Sequence, residues 1–281
     1  MEESTWKQVT ITYPGQNRQE RERHAVPHLR HVLPAAETSG LITSWWFIRK
    51  GAWRIRYLPT PPHDGHDPVH RLLTDAVTWT TDIYEPEIHA FGGPDAMNAA
   101  HTLFHHDSHH LLTYLHTPPV DRRERSLTLC TALMRTAGLD LNEQGDVWAR
   151  VAQHRVEHLN RPTTPHTWEA FTGKVRHLLL GSTRDTHDWQ AGFDNAGTAL
   201  RHLRETGRLT RGLRAVIAEH VIFHWNRLGL PATTQATLAQ AATDAIFGSA
   251  PSLPRRVEVE SYPPRQHATR FSSTPSPPAI R

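Results

Sequence analysis

The sequence predicts an α+β protein, with a sheet-bearing N-terminal part and a helical remainder. Three observations predict it. Residues 1–93 alternate segments of period two with segments of helical spacing. After Gly92-Gly93-Pro94 only helical spacing remains. From Ser249 the chain turns rich in Pro, Ser and Arg and poor in apolar residues, which predicts a disordered tail. The expected organisation is a sheet unit at 1–93 and a helical region at 94–248, together one functional domain, then a tail at 249–281.

Each element has its own signal. Val9, Ile11 and Tyr13 alternate with polar residues over Lys7–Tyr13, a half-buried strand that Pro14-Gly15 ends. Arg18–Thr38 has helical spacing at Ala25, Leu29, Val32 and Leu33, with Gly40 to close it. Pro27 and Pro34 inside it predict a kink or a shortened helix. Ile42–Arg49 and Trp53–Leu58 flank Lys50-Gly51-Ala52 as a hairpin. A Pro- and Gly-rich loop at Pro59–Gly65 leads to a short helix over about 67–77, with Asp67 as N-cap before Pro68. Thr78–Ile88 reads as a further strand. The order β-α-β-β-α-β is the ferredoxin-like arrangement. Helices are then expected at 95–116, 122–138, 144–159, 166–181, 187–206, 210–228 and 233–247. Their separators are Thr117-Pro118-Pro119, Gly138, Arg161-Pro162, Gly207 and Gly229-Leu230-Pro231.

Composition excludes several classes. No apolar run reaches the ~18–20 residues of a membrane-spanning helix. Met1-Glu2-Glu3-Ser4 lacks the pattern of a secretory signal, and a single cysteine, Cys130, fits a reducing cytoplasm. The formal charge of +3 is accounted for by the 249–281 tail, with five Arg against two Glu. The body is therefore neutral and lacks the single-sign footprint of a nucleic-acid binder. No nucleotide, flavin or phosphate loop is visible, and no cofactor is expected.

Four groups of residues bear on chemistry. Arg54 and Arg56 share one strand face, opposite Trp53, Ile55 and Tyr57. Such a pair is either solvated or structurally paired, or it clamps a carboxylate through bidentate guanidinium contacts. Glu85 and Glu87 share a face of the expected last strand, where Pro86 marks an edge or bulge. They suit acid–base work or serve as partners of the arginines, and the second role is favoured. His220, His224 and Arg227, spaced i, i+4, i+7, form a polar stripe on an otherwise apolar helix. They are satisfied core groups or line a cavity. His101, His105, His106, His109, His110 and His116 crowd one helix. A zinc-hydrolase signature needs Glu directly after the first His, and no cysteine is close in sequence, so metal binding is not expected.

Longer strings carry a resemblance. Trp45–Lys50 with Trp53–Arg56, Tyr84–Gly93, Ala99–Ser108, Gln144–Ala149 and His220–Leu228 occur in order over about 6–247. Together they resemble the thiopeptide-type bacteriocin biosynthesis proteins. Those are stand-alone relatives of the C-terminal, glutamate-eliminating domain of lantibiotic dehydratases.

The resemblance implies action on a leader-bearing ribosomal peptide. In the dehydratases a partner domain first glutamylates Ser or Thr, using glutamyl-tRNA. The elimination domain then removes glutamate, leaving dehydroalanine or dehydrobutyrine. Another branch joins two dehydroalanines into a pyridine by a formal [4+2] cyclisation, and a non-catalytic peptide-binding subunit is a third role. Arg49, Arg54 and Arg56 match the Arg-rich strand segment of the elimination domains and suit charge stabilisation, and His224 is expected to transfer the proton because an imidazole titrates near neutral pH. Tyr84, Glu85, Glu87, His220, Asn226 and Arg227 bind or support. The implied partners are the precursor peptide and a glutamylating dehydratase. The elimination domains commonly read Arg-Tyr-Gly-Gly where this chain reads Ala90-Phe91-Gly92-Gly93, which favours the other two roles. The expected site is a crevice where the helical half crosses the polar sheet face, bringing His224 and Arg227 to Arg54, Arg56 and Glu85.

Overall fold

Four strands form one antiparallel sheet: β1 (Lys7–Thr12), β2 (Ile42–Lys50), β3 (Ala52–Pro59) and β4 (Thr78–Asp82), in the order β2-β3-β1-β4. This is the ferredoxin-like order. A computed structural model describes residues 6–60, 67–117, 120–159, 164–181 and 188–248. The tail at 249–281, most of the Pro59–Gly65 loop and the separators Pro118-Pro119 and Arg161-Pro162 lie outside the described residues.

Helix α1 (Arg18–Thr38) links β1 to β2, and α2 (Pro68–Thr74) links β3 to β4. The Asn17 side chain caps α1 by accepting from the Glu20 N–H, and Asp67 caps α2 by accepting from His70 N–H. Contrary to expectation, α1 runs unbroken through Pro27 and Pro34 to Thr38. Its apolar stripe, Ala25, Val26, Leu29, Val32, Leu33 and Ala36, is buried with Val9, Ile11, Phe47 and Ile55 of the sheet. That burial outweighs the local cost of two missing amide donors. Gly51, at φ 81°, forms the one-residue tip between the paired Lys50 and Ala52.

The last strand is shorter than expected. Pairing to β1 ends at Gln8↔Asp82. The ladder stops there, and Pro86 has no N–H to donate. The segment instead turns, with Ile88 N–H donating to Pro86 O and Phe91 N–H to Glu87 O. Glu85 and Glu87 therefore do not share a strand face.

Among the described residues the helical region holds α3 (Pro94–His116), α4 (Arg122–Thr136), α5 (Leu141–Gln153), α6 (Pro165–Leu180), α7 (Asp188–Glu205), α8 (Leu213–Leu228) and α9 (Ala232–Phe247). A 3₁₀ turn lies at Val156–His158. Helix α5 opens with a capping box between Asp140 and Glu143, and α8 ends at Gly229, φ 78°. Helices α3 and α8 both reach β2, the edge strand. The edge is closed by α3 side chains. Ser108 Oγ accepts from Phe47 N–H at 3.3 Å, and His105 Nδ1 lies 2.9 Å from Trp45 O.

Candidate functional site

The two sheet faces differ in chemistry because the residues alternate. Trp45, Phe47 and Arg49 of β2 stand opposite Tyr57, Ile55 and Trp53 of β3, on the side that α1 covers. Trp46 and Ile48 stand opposite Arg56 and Arg54, and Gln8 and Thr10 of β1 pair with the same two arginines. The second face thus gathers Thr10, Arg54, Arg56, Thr80 and Asp82. Thr80 and Asp82 are exposed and Arg54 is half-buried. The helical region joins at the β2 edge, where Trp46 and Ile48 pack with Phe104 and Phe223; Arg56 and Gln8 are buried, and the face opens only toward β4.

Arg56 lies flat between two rings, its Cζ 4.3 Å from the Trp46 centroid and 4.2 Å from that of Tyr84. Its Nε donates to Gln8 Oε1, while Nη1 is enclosed without a partner. Burial lowers its pKa to about 10, still far above neutrality. Lys50 Nζ lies 5.6 Å from the Phe223 ring. Burial lowers its pKa; Glu87 opposes this, and the charges of Arg54 and Arg56 add to it. One Glu87 oxygen is enclosed without a hydrogen-bond partner. Glu85 is exposed.

Beside Arg56, the Tyr84 hydroxyl lies 2.8 Å from His101 Nε2. Trp6 packs on His101 with centroids 4.7 Å apart. Burial, with a smaller push from Arg56, lowers the His101 pKa to about 4, so the imidazole is neutral at pH 7. Sequence reasoning missed His101 as a site residue. Its signals were the histidine-rich helix and the Ala99–Ser108 string, and neither set it apart from its neighbours.

Several expected site residues are placed elsewhere. Arg49 faces the α1 side. Its Nη1 pairs with Glu22 at 2.5 Å and its Nε donates to Arg227 O at 2.7 Å, and Arg122 binds the same Glu22. It does not join Arg54 and Arg56, because the one-residue hairpin sets it opposite Trp53. His224 is fully enclosed. Its Nδ1 lies 2.9 Å from Asp107 Oδ2, and Phe193 and Trp189 flank its ring. Arg227 Nε donates to the same oxygen at 2.7 Å, and Trp189 Nε1 donates to Oδ1 at 2.9 Å. Burial alone would raise the Asp107 carboxyl, but the facing His224 and Arg227 hold it well below the usual range. Trp46 and Phe104, 4.7 Å apart, fill the space between Arg56 and Arg227, whose Cζ lies 4.4 Å from Phe104. The expected meeting of His224 and Arg227 with Arg54 and Arg56 is thus corrected: two packed rings separate them. His220 is buried against Phe91 and Phe104, and Asn226 Oδ1 accepts from Gln235 of α9.

The comparisons bear on this geometry. The fold is similar to the tRNA-dependent lantibiotic dehydratase MibB from Microbispora sp. 107891, with 18% identity and a TM-score of 0.55. That match covers 86% of this chain and 28% of that one, so this chain spans under a third of the dehydratase. It is similar to TsrL at 14% identity and TM-score 0.54, covering 88% of this chain and 99% of that one. It is also similar to the pyridine synthase TbtD from thiomuracin biosynthesis, at 13% and 0.53, covering 86% and 97%. No curated protein matches the sequence. Residues 6–246, which carry both the sheet and the helices packed at its edge, match the model of the lantibiotic biosynthesis dehydratase C-terminal family, and the chain belongs to that family.

Proposed function

We propose that this chain removes glutamate from glutamylated Ser or Thr side chains of a precursor peptide. The observation that carries the reading is the cationic sheet face: half-buried Arg54 and exposed Lys50 stand beside the buried Arg56, which keeps an unpaired guanidinium nitrogen. Elimination needs a base for the α-proton. The Cα–Cβ double bond forms as the Cβ–O bond breaks, and glutamate leaves as a carboxylate. The three cations take the carboxylates of the departing glutamate, and charge-assisted contacts suit them to that. The proton passes to the Tyr84–His101 pair. Arg56 adds to the depression of His101 by burial, and a carboxylate bound beside Arg56 offsets that push. A precursor peptide and a glutamylating dehydratase are the partners of this reading.

The test is incubation with a glutamylated precursor peptide, read by mass spectrometry. Loss of glutamate is expected with the wild type. Arg54→Ala, Arg56→Ala, Tyr84→Phe and His101→Ala are each expected to slow it about a hundredfold. No mass change with a verified substrate refutes elimination. A second reading, pyridine formation from two dehydroalanines, is favoured by Ala90 and by the near-complete coverage of the pyridine synthase TbtD. Turnover of a dehydroalanine-bearing peptide, with none of the glutamylated one, selects it.

A further inference from the structure

On the opposite side of the sheet, two histidines of α3 and one glutamate of α1 converge. His105 and His109 are one turn apart. Glu37 lies at the C-terminal end of α1. His105 Nε2 is 3.2 Å from Glu37 Oε1, and His109 Nε2 is 2.8 Å from Glu37 Oε2. The three ligand atoms all lie within 4.8 Å of one another. We propose that Glu37, His105 and His109 bind a divalent zinc-type ion, clamping α1 and α3 to the edge of β2.

Three features carry it beyond proximity. First, the spacing fits. Zinc bonds of about 2.0–2.2 Å at tetrahedral angles put neighbouring ligand atoms roughly 3.3–3.5 Å apart. The His105–Glu37 separation already approaches that value. Second, the ligands are oriented from outside. His105 Nδ1 lies 2.9 Å from Trp45 O and 3.2 Å from Trp45 N. One atom cannot serve both, and the shorter contact puts the proton on Nδ1, donating to the carbonyl. Nε2 is then the atom that faces the Glu37 carboxylate, where a cation, either a proton or a metal ion, sits between them. A metal-binding histidine is held in just this way by a carbonyl behind it. The carboxylate is fixed as well, since Trp45 Nε1 donates to Glu37 Oε2 at 2.8 Å. Third, the site is accessible. The His105, His109 and Glu37 side chains are 24%, 40% and 28% exposed. An ion can enter and keep water as its fourth ligand. Two imidazoles with one carboxylate suit zinc better than calcium or magnesium, which take oxygen ligands. The third ligand comes from a different helix, so spacing within α3 alone did not reveal it.

The test uses the full chain without a histidine tag, stripped by chelator and dialysed. Titration with Zn²⁺ by calorimetry, and with Co²⁺ by visible absorption, is expected to give one equivalent with the intense bands of a tetrahedral cobalt site. His109→Ala and Glu37→Gln are expected to weaken binding about a hundredfold. The double variant His106→Ala/His110→Ala, on a neighbouring face of α3, is expected to bind as the wild type does. Melting in chelator separates lost ligands from lost fold, and His109→Gln replaces His109→Ala should the latter fail to fold. Absence of stoichiometric uptake, unchanged binding in the His109 and Glu37 variants, or loss in the His106/His110 variant overturns the proposal. Each of these outcomes leaves His105 and His109 as hydrogen-bonding partners of Glu37 only.

Discussion

His220 sits among aromatic rings with neither ring nitrogen hydrogen-bonded, and burial lowers its pKa from 6.5 to about 3. The sign of its effect on stability follows. Below pH 6.5 the unfolded chain takes up a proton that the folded chain refuses until about pH 3. The stability tied to the neutral ring is therefore complete above 6.5 and is lost as pH falls toward 3. At pH 5 the loss is about 2 kcal/mol. His101 acts with the same sign, down to about pH 4. Denaturant midpoints are expected to drop between pH 7 and pH 5. His220→Phe removes a buried unpaired N–H, so it is expected to raise the midpoint and flatten the slope. An unchanged slope in this variant would assign the pH dependence to other groups.

At the scale of elements, Arg49 ties three together. From β2 it binds Glu22 of α1 and the Arg227 carbonyl near the end of α8, and its guanidinium lies against Gly229. The left-handed φ of Gly229 and the absence of a side chain there let the arginine reach the last carbonyls of α8. Arg18 Nη1 adds a bond to Gly229 O at 2.9 Å. Arg49→Ala leaves Glu22 buried with one cation fewer. It is expected to cost about 3 kcal/mol in denaturant titration. Arg54→Ala, on the half-open face, is expected to stay within about 0.5 kcal/mol of the wild type. Equal losses in the two would show that the sheet faces are misassigned. The hairpin register and the alternation of β2 and β3 were both legible in the sequence. They imply that Arg49 and Arg54 face opposite ways; the resemblance grouped them.

For the molecule as a whole, three helices of the helical region meet at a charge hub. Asp107 of α3 takes His224 and Arg227 of α8 and Trp189 of α7. Asp107→Asn and His224→Ala are each expected to lower stability by about 3–5 kcal/mol. Glutamate elimination, measured where each variant is folded, is expected to track the folded fraction. A fully folded His224→Ala without activity would return this histidine to the chemistry. The apolar character of α8 around nearly its whole circumference marked it as a buried helix. Its counter-ion lies 117 residues away, and nothing local announced it. The sequence by itself determined the first three strands, the order of the elements and the family, because periodicity, caps and glycines act within a few residues. Only the tertiary structure decided that His224 is sealed between Phe193 and Trp189, that His101 stands beside Tyr84 and Arg56, and that Glu37 faces two histidines. Periodicity says which face of an element is buried, whereas the choice of partner for each buried charge is made by packing between segments far apart in the chain.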